Sequence, residues 1–165
     1  MEDPHPMGNF LGCSHEEAWR TSPWTGKQVR TMTYNMEPFL KGCVERYMEF
    51  ANVKHLRKVT TPFIEEPEGG PACANGNVQA DSAPGGSKPS AETEGELKHI
   101  ASRVLMKVLY CARVCRYDLL HAIGRLACKV TRWDPECDKA LHRMMCYIHS
   151  TYHIRQVGWV GDKVE

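Results

Sequence analysis

The sequence has no uninterrupted apolar run of the ~18 residues that a membrane-spanning helix needs; the stretch 105–110 is already broken by Lys107. The first thirty residues hold Pro4, His5, Pro6 and scattered charges where a secretory leader would place an apolar core. Both absences point to a soluble intracellular chain, in the cytoplasm or nucleus, with no membrane partner and with its cysteines kept as thiols. An excess of one charge is missing too. The 165 residues carry 21 Lys and Arg against 20 Asp and Glu, which excludes a histone-like polycation and an acidic solvating chain. Aromatic residues are scarce at 8 %, although 42 % hydrophobic content suffices for a core. The length fits one domain or a piece of a larger protein.

Motifs of nucleophilic and phosphate chemistry are absent as well. No GxSxG elbow occurs, and neither Gly69-Gly70 nor Gly85-Gly86 is followed by the GK[ST] of a phosphate loop. The eight cysteines, at 13, 43, 73, 111, 115, 128, 137 and 146, include no CxxC pair. A zinc ribbon needs two such pairs to bring four thiolates around one ion. Cys111 and Cys115 would share a helix face, where free thiols act as small hydrophobes. One stripe has metal-like spacing: His142, Cys146, His149 and His153 recur on one side of a helix. Ser150 follows His149 where a zincin would carry its glutamate base. A solvated polar face is the expected outcome, with no metal held by this chain.

Charge divides the chain in three. Residues 1–64 are nearly balanced, with 8 basic and 7 acidic side chains. Residues 65–95 hold six Gly, four Pro, six acids and one Lys, and Val78 is their only large aliphatic residue. Such a stretch buries too little to offset its ordering entropy and reads as a flexible acidic linker. From 97 onward, 12 basic residues face 6 acidic ones. No internal repeat is found.

Four segments have helical periodicity. The first spans 36–51, with Asn35 as N-cap and Phe39, Cys43, Tyr47 and Phe50 on one side. The second spans 94–115, with Leu97, Ala101, Val104, Leu105, Val108 and Ala112 in a stripe. The third, 118–130, is capped by Asp118 and buries Leu119, Ile123, Leu126 and Val130. The fourth opens on Asp134-Pro135, an N-cap and a first-turn proline. It is expected to bury Leu141, Met144, Met145 and Ile148 and to expose Lys139, His142, Arg143, Cys146 and His149. Residues 29–34 and 154–160 read as short strands. The joints at 116–117 and 131–133 are short enough to make the last three helices neighbours. The expected architecture is mainly α: a small antiparallel helical bundle with short flanking strands and a long disordered linker.

Basic pairs recur at i, i+4 on the wet sides: Arg103 and Lys107, Arg125 and Lys129, Lys139 and Arg143. Aligned cations of this kind can track a nucleic-acid backbone. The plainer reading is that amphipathic helices commonly carry Lys and Arg on their solvated side.

The run VLMKVLYCARVCRYDLLHAIGRLACKVTRW (104–133), followed by CDKALHRMMCYIHST (137–151) and GWVGD (158–162), resembles the Pol polyprotein of Ty1/copia-type retrotransposons. It is similar to the helical region between the reverse transcriptase palm and RNase H. Leu109, Tyr110, Arg113, Arg116, Asp118, Leu119, Trp133, Leu141, Tyr147, Ile148 and Thr151 occupy positions of the family's pattern. FLGC (10–13) resembles the end of the palm, MTYNMEPFLKGCVERYMEFA (32–51) the first thumb helix, and TTPF (60–63) the Thr-Pro motif before the family's variable acidic linker.

The resemblance implies a fragment of an α+β polymerase: palm end and thumb-like helix over 1–64, linker over 65–95, three-helix connection over 96–153, and an approach strand of RNase H over 154–165. Its implied partners are an RNA/DNA template–primer duplex and the remainder of the polyprotein. Arg103, Lys107, Arg125, Lys129, Lys139 and Arg143 are the expected phosphate contacts, and Arg113, Arg116 and Asp118 a structural corner. Tyr117 replaces the family's usual proline. The parent's two magnesium ions need clustered carboxylates, and this chain has no Asp-Asp pair, while Asp162 belongs to the approach segment. The chain alone is therefore expected to be inactive. The competing expectation is a non-enzymatic helical interaction module or an inactive retroelement remnant.

Overall fold

Residues 8–35 form a sheet in which a long hairpin dominates. In the computed structural model, which describes residues 8–63 and 94–160, β1 (Asn9–Phe10) turns through Leu11 and Gly12 into β2 (Cys13–Thr21). Both turn residues have positive φ, 50° and 80°, and glycine adopts that region without a Cβ penalty. β2 pairs antiparallel with β3 (Gln28–Asn35) from Ser14↔Asn35 to Thr21↔Gln28. β4 (Gln156–Val160) returns from the far end of the chain to the other side of β3. The order is β1-β2-β3-β4.

The N-cap position of the first helix falls on Met36, one residue after the expected Asn35, which ends the sheet. The Asn35 side-chain oxygen accepts the Glu37 N–H at 3.0 Å, and Pro38 fits the first turn of α1 (Glu37–Phe50). Leu40, Cys43, Val44 and Tyr47 form the buried stripe. Phe50, expected inside, is 42 % exposed, because the stripe runs through Leu40 and Val44 instead. α2 (Lys98–Val114) buries Ala101, Val104, Leu105, Val108 and Ala112 together with Ile100 and Cys111. α3 (Leu120–Cys128) buries Ile123 and Leu126, and α4 (Pro135–Ser150) buries Leu141, Met144, Met145 and Ile148. Asp134 caps α4 by accepting the Cys137 N–H at 2.7 Å. α2 packs against α1 and α3, and α4 against α1 and α3.

Two expectations are corrected. The molecule is mixed α and β, not a mainly α bundle with short flanking strands: a four-stranded antiparallel sheet stands beside the four helices. β2 supplies most of the difference. Its sequence, CSHEEAWRT, has no apolar alternation, and the ladder with β3 holds it rather than a buried side-chain face. Asp118 does not cap α3. A single 3-10 turn, Tyr117–Leu119, precedes the helix, and the Asp118 carboxylate is taken by Arg116.

The proposed linker lies outside the described residues except at its end. There Gly95 is buried and donates its N–H to the Trp133 carbonyl at 3.0 Å. Of the approach strand, 156–160 is β4, and 161–165 lie outside the described residues.

Candidate nucleic-acid interface

Where α1 lies against α2, three cations border a shallow groove. Arg46 comes from α1, and Arg103 and Lys107 come from α2. Cys43 and Val104 form its floor, and Phe50 its aromatic rim. Helical spacing puts Arg103 and Lys107 one turn apart on one face, and Arg46 stands one turn from both Cys43 and Phe50. Burial raises the pKa of the Cys43 thiol, and the positive charges of Lys107 and Arg46 oppose that rise in part. The thiol therefore stays protonated at neutral pH, and the groove carries cationic charge only. Among the described residues none of the three cations is in an ion pair.

The other expected phosphate contacts are placed differently. Arg143 is half-buried and donates from Nε to the Phe63 carbonyl at 3.0 Å and from Nη2 to Thr61 Oγ1 at 2.8 Å. It straps the segment 53–63 across α4. Lys139 is exposed and paired with Glu136 at 2.7 Å, and that carboxylate raises its pKa. Arg125 and Lys129 are half-buried. Lys129 also helps to keep the Asp134 carboxyl ionised: burial pushes that group up, but the Cys137 N–H and Lys129 outweigh it. The six cations thus do not serve as one set. Arg103 and Lys107 remain open, joined by Arg46, which sequence periodicity could not pair with them because the pairing of α1 with α2 is a tertiary fact.

At the corner, the structure brings Arg116 and Asp118 together and leaves Arg113 exposed outside it. Arg116 donates from Nε and Nη2 to the two oxygens of Asp118 at 2.9 and 2.7 Å, and to the carbonyl and hydroxyl of Thr151 at 3.0 and 2.9 Å.

The His142–His153 stripe is divided between core and surface. Cys146, expected to be exposed, is fully buried, because α1 and the 53–63 segment cover that side of α4. His142 Nδ1 lies 3.0 Å from the Tyr47 hydroxyl and Nε2 lies 3.4 Å from Cys146 Sγ. Burial, and then the charge of Arg57, lower the His142 pKa, so the ring is neutral at pH 7 and satisfies both partners in either tautomer. Burial raises the Tyr47 pKa, which keeps its hydroxyl proton in place. His149 and His153 are exposed. Tyr47→Phe should cost about 1 kcal/mol by stranding one imidazole nitrogen, a loss readable as a lower urea midpoint at unchanged m.

Among the described residues no three His, Cys, Asp or Glu side chains converge at ion-binding distance. Magnesium, implied for the parent polymerase, has no ligand set among them. No helix among the described residues is long and apolar enough to cross a membrane. Scans against protein-family models, curated proteins and solved structures return no match.

Proposed function

We propose that the chain is a fragment of a copia-type retrotransposon reverse transcriptase–RNase H polyprotein, and that it contributes template–primer binding to RNA-directed DNA synthesis. The groove bordered by Arg46, Arg103 and Lys107 is the observation that carries this reading. It supplies open cations from two packed helices, and Arg and Lys are among the side chains that donate to phosphate oxygens. The helix α1, similar to the family's thumb helix, is one wall of that groove. The order of the resembling motifs along the chain supports the same assignment. Binding, orienting and screening the duplex backbone are the chemistry these side chains can perform; carboxylates for phosphoryl transfer would come from elsewhere in the parent.

The test is Arg103→Glu with Lys107→Glu, assayed against a labelled RNA–DNA hybrid. Removing two phosphate contacts should lower affinity at least tenfold near 0.1 M salt and flatten the log–log salt slope by about 1.8. Circular dichroism should be unchanged, since both side chains are exposed. Affinity equal to that of the parent chain at low salt would remove the reading.

A further inference from the structure

Three of the four tryptophans gather at the far end of the sheet. Trp133 is buried, whereas Trp19, Trp24 and Trp159 are 68 %, 78 % and 39 % exposed. An indole left this far in water gives up much of the burial that usually places it in a core. The segment 18–36 contains Arg20, Lys27 and Arg30 and no acidic residue.

The strand register sorts these groups. Residues directly opposite in an antiparallel ladder share a face. Ala18, Thr31 and Trp159 are aligned on one face, with Arg20 and Val29 next along it. Trp19, Arg30 and Val160 take the other face, where Arg30 lies 3.5 Å from Glu17. Trp24, in the turn between β2 and β3, sets its ring against Trp159, with centroids 5.7 Å apart at 78°.

The turn is ordered. Ser22 is buried, and its Oγ accepts the N–H groups of Trp24 and Thr25, both at 3.3 Å. Its own N–H donates to the Lys27 carbonyl at 2.8 Å, and Gly26 takes φ +68°. Trp24 is thus displayed in an edge-to-face contact with Trp159 and is otherwise open to solvent. Arg20 lies on the Trp159 face, and Lys27 closes the turn. Among the described residues neither cation is in an ion pair.

We propose that this tip binds single-stranded nucleic acid, an unpaired base stacking on Trp24 while Arg20 and Lys27 hold the flanking phosphates. Aromatic platforms beside cations bind single strands because every base has a π face and every linkage a negative charge. A lipid surface suits the tip less well, since Pro23 is the only aliphatic side chain in the turn 22–27. The site shares no residue with the α1–α2 groove and stands whether or not that groove binds duplex.

The experiment titrates the full chain with oligodeoxyuridylate and with oligouridylate, following tryptophan emission and the anisotropy of labelled oligomers. Stacking should quench the exposed indoles, with Trp133 as the buried background. Trp24→Ala should weaken single-strand binding about tenfold and remove most of the quenching. Arg20→Gln with Lys27→Gln should flatten the salt slope by about 1.4. Trp19→Ala, on the opposite face, should change affinity less than twofold. Equal affinity for both oligomers assigns the site to single strands of either sugar, and a preference for one names the sugar. An unchanged Trp24→Ala variant, or equal losses from Trp19→Ala and Trp24→Ala, would overturn the proposal. So would a Trp24→Ala variant that loses self-association or binding to anionic phosphatidylserine vesicles while oligonucleotide affinity holds.

Discussion

Asp118→Ala is expected to destabilise the protein by about 3–5 kcal/mol, because it strands a charge in the interior. The Arg116 side chain is fully buried, and Asp118 is its only anionic partner among the described residues. The Thr151 carbonyl and hydroxyl would still accept from Nη1 and Nη2, but neither neutralises the guanidinium. The pair also sets a pH dependence. Burial pushes the Asp118 carboxyl up, but the hydrogen bonds and charge of Arg116 outweigh it, so the folded-state pKa is lowered. A carboxyl with a depressed folded pKa stabilises above its unfolded value of about 3.9, and that contribution is lost as pH falls through the folded value. Urea midpoints of the parent chain should therefore decline on acidification below about pH 5, and Asp118→Ala should lack its share of that decline. The double variant Arg116→Met with Asp118→Leu separates the alternatives. If the single loss comes from an unpaired charge, the double variant recovers much of it. A single variant within 1 kcal/mol of the parent would show that water reaches the guanidinium.

The sequence exposed what depends on local chemistry. Asp134-Pro135 marks the start of α4, and Leu141, Met144, Met145 and Ile148 mark its inner side, because cap and stripe are both set within a few turns. Arg116 and Asp118 stand two residues apart, so their pairing was visible, whereas Thr151 enters from 35 residues away. β2 could not be read in the same way. Its two adjacent acids and exposed Trp19 carry no strand period, and its partner rows are supplied by β3. Cys146 and Arg143 looked solvated because a helical wheel divides α4 by polarity. What covers them is Tyr47 on α1 and the irregular segment ending at Phe63, which has no period to announce where it packs. The same limit applies to the candidate interface. Arg103 and Lys107 were recognisable from spacing, but Arg46 joins them only through the contact between α1 and α2. The tip tryptophans carried no signal until the register placed Trp159 opposite Thr31 and beside the turn that presents Trp24.

Trp133→Ala should cost about 3–5 kcal/mol, the loss expected when a buried indole leaves a cavity. Trp133 is 2 % exposed and sits at the joint between α3 and α4, where it also secures the entry to α2. Its Nε1–H donates to Asp138 Oδ1 at 2.6 Å, and the same oxygen accepts the Leu97 N–H at 3.2 Å. The Gly95 N–H donates to the Trp133 carbonyl at 3.0 Å. The fit leaves no room at Gly95: a Cβ there would lie 2.7 Å from Trp133 Cδ1 and 2.6 Å from the Asp134 carbonyl oxygen. One residue thus fastens two chain segments that are distant in sequence, and Asp138 is the acceptor they share. Trp133→Phe keeps an aromatic ring but removes the N–H and the second ring, so it should cost less, about 1–2 kcal/mol. Urea denaturation of the two variants, with hydrogen exchange at the Leu97 amide, separates packing from bonding. Packing predicts a large difference between Ala and Phe, with the Leu97 amide still protected in Phe because Asp138 retains that contact. Equal losses in the two variants, with Leu97 exchanging freely in both, would instead make the shared Asp138 bond the dominant element of the joint.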